Sequence, residues 1–403
     1  MSRIPLACGL ARCDRRFTLR RLTPVLRSFF LLLLFTCETD FAGSPPPVID
    51  DRFPAPPPSL LTNPFGVDTL SEDKGLVRSI AFHGRYEGQY VDSSDDFAGG
   101  SSEKFWEHRR SRAGLIAELA GDLRFIHTWN LDTSPNFDGD HFFDKIWDLN
   151  LRWSPSDEWS FVIGKQRPIV TREWETPSYR LLTIERSPIV NNVISLPLWG
   201  ASVVHEREGI VQQFGVYGTA LEMDYHLPSF EHAGSSLLYR NTTPLSDAAT
   251  LFFEFQFNDT ATSSEFSETY GSSAYEEVAS LGSESRWSQF AFTANLIAAR
   301  DRRDFTMDDT WGFVLMPSVD LNDRLEAVMK VTYAEDLRVD RPERYASRPL
   351  VDGYASFYVG LNYRIFEDHL KLMAGYEVAN GEIVGTGVPY ANESWVFAVR
   401  TLW

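Results

Sequence analysis

Residues 167–198 hold Arg167, Arg172, Arg180 and Arg186 together with Glu173, Glu175 and Glu185. Charges of both signs at that density suit one of two roles. Set across a narrow aqueous passage, they choose ions by sign, because a low-dielectric wall focuses their field. Left on an outer loop, they neutralise one another. A connection of about 30 residues is uncommon unless it is functional or without fixed structure. Upstream, Arg110, Arg112 and Arg152 share strand parity with Glu118 and Asp148. In a water-filled lumen these arginines would form a positive ladder. At a membrane rim their planar forks would grip lipid phosphates.

Other chemistries find little support. There is no Gly-x-Ser-x-Gly elbow for a serine hydrolase. The eight histidines show neither metal-ligand spacing nor a paired nucleophile, so no catalytic residue and no metal ligand is assigned. His83 and His127 read as ordinary lumen or interface residues. Gly164-Lys165-Gln166 lacks the hydroxyl and second glycine of a nucleotide-cradling loop, and no cofactor is expected. The net charge of −18 disfavours nucleic acid, whose phosphates need basic clusters. Acidic residues crowd the long connections (Asp95, Asp96, Asp138, Asp140, Glu265, Glu268, Glu276, Glu277), leaving the sign of any passage open.

The elements that must position these charges have a period of two. Phe357, Val359, Leu361, Tyr363 and Ile365 alternate with Tyr358, Asn362 and Arg364, and Leu370, Leu372, Ala374, Tyr376 and Val378 with Lys371, Met373, Gly375 and Glu377. The pattern predicts strands over 78–90, 105–119, 123–131, 143–153, 159–166, 199–206, 209–219 and 235–242. It predicts eight more over 250–258, 274–281, 286–299, 310–320, 324–335, 354–366, 370–379 and 393–403. Alternation also fits a soluble sandwich. Connection lengths separate the two, since short turns on one rim and long loops on the other, with an even strand count, mark a transmembrane antiparallel β-barrel. Sixteen strands fit best, with fourteen or eighteen as alternatives. Trp147, Trp153, Trp159, Trp287, Trp311, Trp395 and Trp403 fall near strand ends, where an interfacial girdle belongs.

Composition agrees. Of 403 residues, 14% are aromatic and 23% charged, and no apolar run approaches the roughly 20 residues of a membrane helix. Seven arginines precede Phe29-Phe30-Leu31-Leu32-Leu33-Leu34-Phe35, the layout of an export signal, which predicts a signal peptide over 1–43. All three cysteines lie there, and Cys37 stands in a degraded lipoprotein-type box. The proline clusters at 45–47 and 54–58 predict an extended periplasmic linker or plug-like arm over 44–76, ahead of a barrel over 77–403.

Three stretches resemble the phosphate- and polyphosphate-selective porin family of Gram-negative outer membranes. Arg109-Arg110-Ser111-Arg112-Ala113-Gly114-Leu115 resembles its basic second strand. Phe161-Val162-Ile163-Gly164-Lys165-Gln166-Arg167-Pro168 through Ile184-Glu185-Arg186-Ser187-Pro188 resembles its passage into the third loop. Gly360-Leu361-Asn362-Tyr363, Leu370-Lys371-Leu372-Met373 and Tyr376-Glu377 resemble its closing hairpin. The likeness covers most of 78–403 and is weakest between 220 and 300. It departs in having few lysines, where the family's phosphate channels are rich in lumenal lysine.

The resemblance implies a sixteen-stranded barrel, usually a homotrimer, whose third loop folds in to narrow the pore. On that basis Arg167, Arg172, Glu173, Glu175, Arg180, Glu185 and Arg186 are expected at a constriction. Arg110, Arg112, Glu118, Asp148 and Arg152 are expected in the lumen. Trp395, Phe397, Val399 and Trp403 are expected to present an aromatic signal to the barrel-assembly machinery. The chain is thus expected in the outer membrane, in contact with its lipid, passing small ions or solutes, with anions such as phosphate among the candidates. The alternatives are a non-conducting structural or receptor-type barrel and, third, an outer-membrane hydrolase.

Overall fold

The computed structural model describes residues 75–95, 101–131, 143–218, 234–259, 275–301, 309–337, 351–366, 369–383 and 388–403. The expected signal segment and nearly all of the expected arm lie outside the described residues. So do most of the acidic loop positions named above, although Glu276 and Glu277 are described and both pair with Arg300, at 3.2 and 3.1 Å.

Sixteen strands form one closed antiparallel barrel in which each pairs with its neighbours in sequence and the last closes on the first. They are β1 (Val77–Asp95), β2 (Ser101–Leu119), β3 (Leu123–Leu131), β4 (Phe143–Trp153), β5 (Trp159–Gln166), β6 (Leu198–Arg207), β7 (Ile210–Gly218) and β8 (Ser235–Ser246). The second half comprises β9 (Ala249–Asp259), β10 (Tyr275–Trp287), β11 (Phe290–Asp301), β12 (Thr310–Asp320), β13 (Leu325–Glu335), β14 (Val351–Phe366), β15 (Leu370–Ile383) and β16 (Pro389–Leu402). Closure satisfies both edges of every strand, which an open sheet of this size could not do.

The alternation in the sequence becomes an inside and an outside. On β14, Phe357, Val359, Leu361 and Tyr363 face outward and are exposed, while Tyr358 and Asn362 are buried within. Trp153, Trp159, Trp287, Trp395 and Trp403 also lie exposed on the outer face. Trp147 does not. The β3–β4 ladder slips there, pairing Asp148 with Thr128 and Ile146 with Trp129. The bulge turns Trp147 inward against Trp174 and Arg112, so it leaves the expected girdle.

The turn expected between 281 and 286 lies farther on. Ser283 to Arg286 continue β10, with Ser285 paired to Ala249 and to Phe292. The chain reverses at Ser288, whose φ of 54° supplies the left-handed residue that a two-residue hairpin needs. This polar run reads as a turn because neither face of the strand is apolar near the rim. Glu208 and Gly209, at φ 54° and 79°, make a two-residue turn between β6 and β7 with both residues left-handed.

Candidate functional site

The segment between β5 and β6 packs against the inner wall of the barrel. Thr171 caps a short helix α1 (Arg172–Glu175), its hydroxyl accepting from the Trp174 N–H at 3.2 Å. A 3₁₀ turn follows over Ser178–Arg180, and then helix α2 (Pro188–Val193), with proline in its first turn. Ile189, Val190 and Val193 of α2 join a buried cluster with wall residues that include Tyr275, Val278, Ile297, Val314, Val328, Tyr354 and Tyr358. An apolar helix thus meets an apolar patch on the inside of β10–β14, where period-two alternation alone predicts a wetted surface. Asn192 adds a 2.7 Å hydrogen bond to the Tyr275 hydroxyl.

Ahead of α2, five carbonyls are held by side chains from the wall. Lys371 Nζ donates to Leu181 O at 2.9 Å, Asn362 Nδ2 to Leu182 O at 2.9 Å and Lys330 Nζ to Glu185 O at 3.0 Å. Arg400 donates to the Ser178 and Ile184 carbonyls. These cations are buried and spent on backbone, a role that residue type alone did not reveal.

The seven expected constriction residues separate into clusters. Arg172 pairs with Glu175 and with Glu284 at 2.6 Å, and Glu175 also takes Arg240 of β8. Glu185 pairs with Arg109 and, at 3.4 Å, with Arg110, which in turn bonds Glu87 at 2.7 Å. Glu173 accepts from the Ser187 N–H at 3.0 Å. Arg186 donates to the carbonyls of Glu173 and Thr176, both at 2.7 Å, and lies 4.9 Å from the Trp174 ring. Burial, then the nearby Arg110 and Arg167 charges, push the Arg186 guanidinium down from its ordinary pKa. Arg180 lies over the Tyr179 ring at 5.5 Å. Arg167 donates to Trp174 O at 3.2 Å and has no carboxylate partner among the described residues.

Arg109 escaped the sequence reading because strict alternation turns it away from Arg110. The β1–β2 ladder slips between Glu87–Arg110 and Gly88–His108, so Arg109 is the extra residue of a bulge and joins Arg110 at Glu185. Arg85, Glu87 and Arg240 were missed for lack of any local motif.

Of the expected lumen residues, Arg110 is taken up by Glu87 and Glu185. Arg112 stacks 3.3 Å from the Trp147 ring centroid and donates from Nε to Asn130 at 3.0 Å, while Glu118 pairs with Arg124 at 2.6 Å. Arg112, Glu118, Asp148 and Arg152 line a cavity of 1120 Å³ that runs from turn residues Asp122, Asp157 and Asp247 to Arg167 and Tyr179 beneath the loop. Trp395, Phe397 and Trp403 are exposed on the outer face at the chain's end. The Trp403 backbone exchanges hydrogen bonds of 2.9 and 3.0 Å with Gly84. Among the described residues no group of three or more His, Cys, Asp or Glu could hold a metal ion.

No family model and no curated protein matches the sequence. Solved outer-membrane barrels resemble the structure. An anion-selective porin from Comamonas acidovorans has a TM-score of 0.58 at 13% identity, covering 81% of this chain and 99% of that one. The outer-membrane channel DcaP of Acinetobacter baumannii has a TM-score of 0.54 at 9% identity, covering 81% and 97%. OmpT of Vibrio cholerae, an outer-membrane protein in a trimer form, has a TM-score of 0.51 at 13% identity, covering 81% and 99%. At these identities the likeness is one of fold.

Proposed function

We propose that this chain is an outer-membrane porin: a water-filled channel for passive diffusion of small ions and solutes, narrowed by residues 167–197 and assembled as a homotrimer. The observation that carries this reading is the cavity beneath the loop, lined by charged side chains inside a closed barrel whose outer face is apolar. Water and ions are favoured along the first surface and lipid along the second. The clusters at Glu175 and Glu185 tie the loop to the wall, and Arg167 and Arg112 are left to set an anion preference, with phosphate among the candidate solutes. The fold shared with an anion-selective porin and with a trimeric barrel agrees with this assignment. The basic, then apolar, leader would direct export, and the aromatic chain end would serve barrel assembly. No catalytic role is proposed.

A non-conducting barrel is the second reading, favoured by the apolar packing of α2 against the wall, which removes part of the lumen from water. Recording in planar bilayers separates the two. Stable ohmic steps with an anion-directed reversal potential under a salt gradient are expected. A folded, inserted protein that never conducts overturns the porin assignment and leaves the barrel standing.

A further inference from the structure

Among the described residues, three guanidinium groups on the cavity wall have no carboxylate within hydrogen-bonding distance. Arg85 on β1 and Arg112 on β2 sit directly opposite each other in the ladder, an arrangement of like charges that is unfavourable without a counter-charge. Glu87 lies 3.7 Å from the Nε of Arg85 but makes its short contact, 2.7 Å, with Arg110, and that buried Nε has no hydrogen-bond partner among the described residues. The Arg112 guanidinium has one face on Trp147 and its Nε on Asn130, which fixes its plane and leaves the two terminal amino groups without a hydrogen-bonded carboxylate among the described residues. Arg167 lines the same cavity within electrostatic reach of Arg85.

The rest of the wall limits what can sit there. The cavity is lined by eight arginines and eight carboxylates, so the attraction is local to this trio and a doubly charged ion gains little from the wall as a whole. Trp147, Val162, Ile169 and Tyr179 line the same space and are otherwise buried. A hydrated inorganic anion would leave that surface without a partner, whereas a hydrocarbon group would cover it.

We propose that Arg85, Arg112 and Arg167 form a binding site for small organic monocarboxylates, whose planar carboxylate engages the forks while the hydrocarbon part lies against Trp147, Ile169 and Tyr179. The site deepens the channel reading and rests on it only for the route by which the solute arrives. Two planar groups in one fixed plane make a bidentate contact, which Arg provides and Lys does not.

Titration calorimetry on the full chain folded in detergent tests the site, with benzoate and inorganic phosphate as probes at one ionic strength. Benzoate is expected to saturate a single site and to bind at least tenfold more tightly than phosphate. Arg85→Gln and Arg112→Gln should each weaken it about tenfold, and Arg112→Lys, which keeps the charge and disturbs folding least, should do nearly the same. Phosphate binding as tightly as benzoate, no saturable benzoate binding, or benzoate affinity unmoved by Arg112→Lys would each overturn the site. Bilayer conductance is read in parallel. Binding without conduction defeats the channel reading alone, and conduction without binding defeats the site alone.

Discussion

The guanidinium of Arg400, near the end of the chain, donates to the carbonyl of Ile184, joining the last strand to the inner loop. The same side chain reaches Ser178 O, and Lys371 on the neighbouring strand holds Leu181 O at 2.9 Å. Carbonyls of a non-helical segment would otherwise turn to water, and each hydrogen bond from a charged donor contributes about 1.5–3 kcal/mol. The C-terminal hairpin therefore fixes the loop as well as closing the barrel.

Arg400→Met retains the apolar stem and removes the donors. Lys371, Asn362 and Lys330 still hold the neighbouring carbonyls. The expected outcome is a folded channel with higher open-state current noise, measured in single-channel recordings against wild type. Noise at the wild-type level would mean that apolar packing of α2 alone holds the loop.

Among the described residues Glu185 is the sole carboxylate partner of Arg109, and it also supports Arg110. Glu185→Gln leaves Arg109 buried without its counter-charge, a change that costs about 3 kcal/mol in such settings. Arg109→Gln in the same chain removes the stranded charge and should recover much of the loss. The urea midpoint for unfolding from lipid vesicles, taken for both single variants and the pair, gives the coupling directly.

How much of this was legible depends on which rule governs each residue. The boundaries of β3, β4, β5 and β12 match the alternation, because one face of each is apolar and a one-residue slip would turn it inward. Arg109 and Trp147 sit at bulges, which no period-two count can locate. Lys330, Lys371 and Arg400 are inward charges that resemble any lumen residue, since their backbone acceptors lie 145 to 222 positions away in sequence. The α2 contact was hidden for a related reason: Ile189, Val190 and Val193 form too short an apolar run to announce a partner.

Gly164 tests the local geometry at the start of the loop. Its φ is 127°, and a Cβ there would lie 2.2 Å from the Leu149 carbonyl oxygen on β4. Gly164→Ala therefore combines a backbone strain of about 1–3 kcal/mol with a clash against a paired strand. Gly121, at φ 75° in the β2–β3 turn, has no atom within 4 Å of that position. Gly121→Ala should cost only about 1–2 kcal/mol. Folding yield into vesicles should fall steeply for the first and little for the second.

Ion selectivity separates the loop arginines by what each one holds. Arg172 and Arg186 are committed to Glu175, Glu284 and the carbonyls of Glu173 and Thr176, so Arg172→Ala and Arg186→Ala should damage folding before they report on permeation. Arg167 makes one backbone hydrogen bond and faces the cavity, so Arg167→Ala should fold. Removing a screened charge at the passage changes the ion's energy by about 0.5–1 kcal/mol, or about two- to fivefold in permeability ratio. Reversal potential under a salt gradient should move toward the cation, and more so at low ionic strength, where the charge reaches farther. An unchanged reversal potential at both salt concentrations would remove Arg167 from the selectivity mechanism.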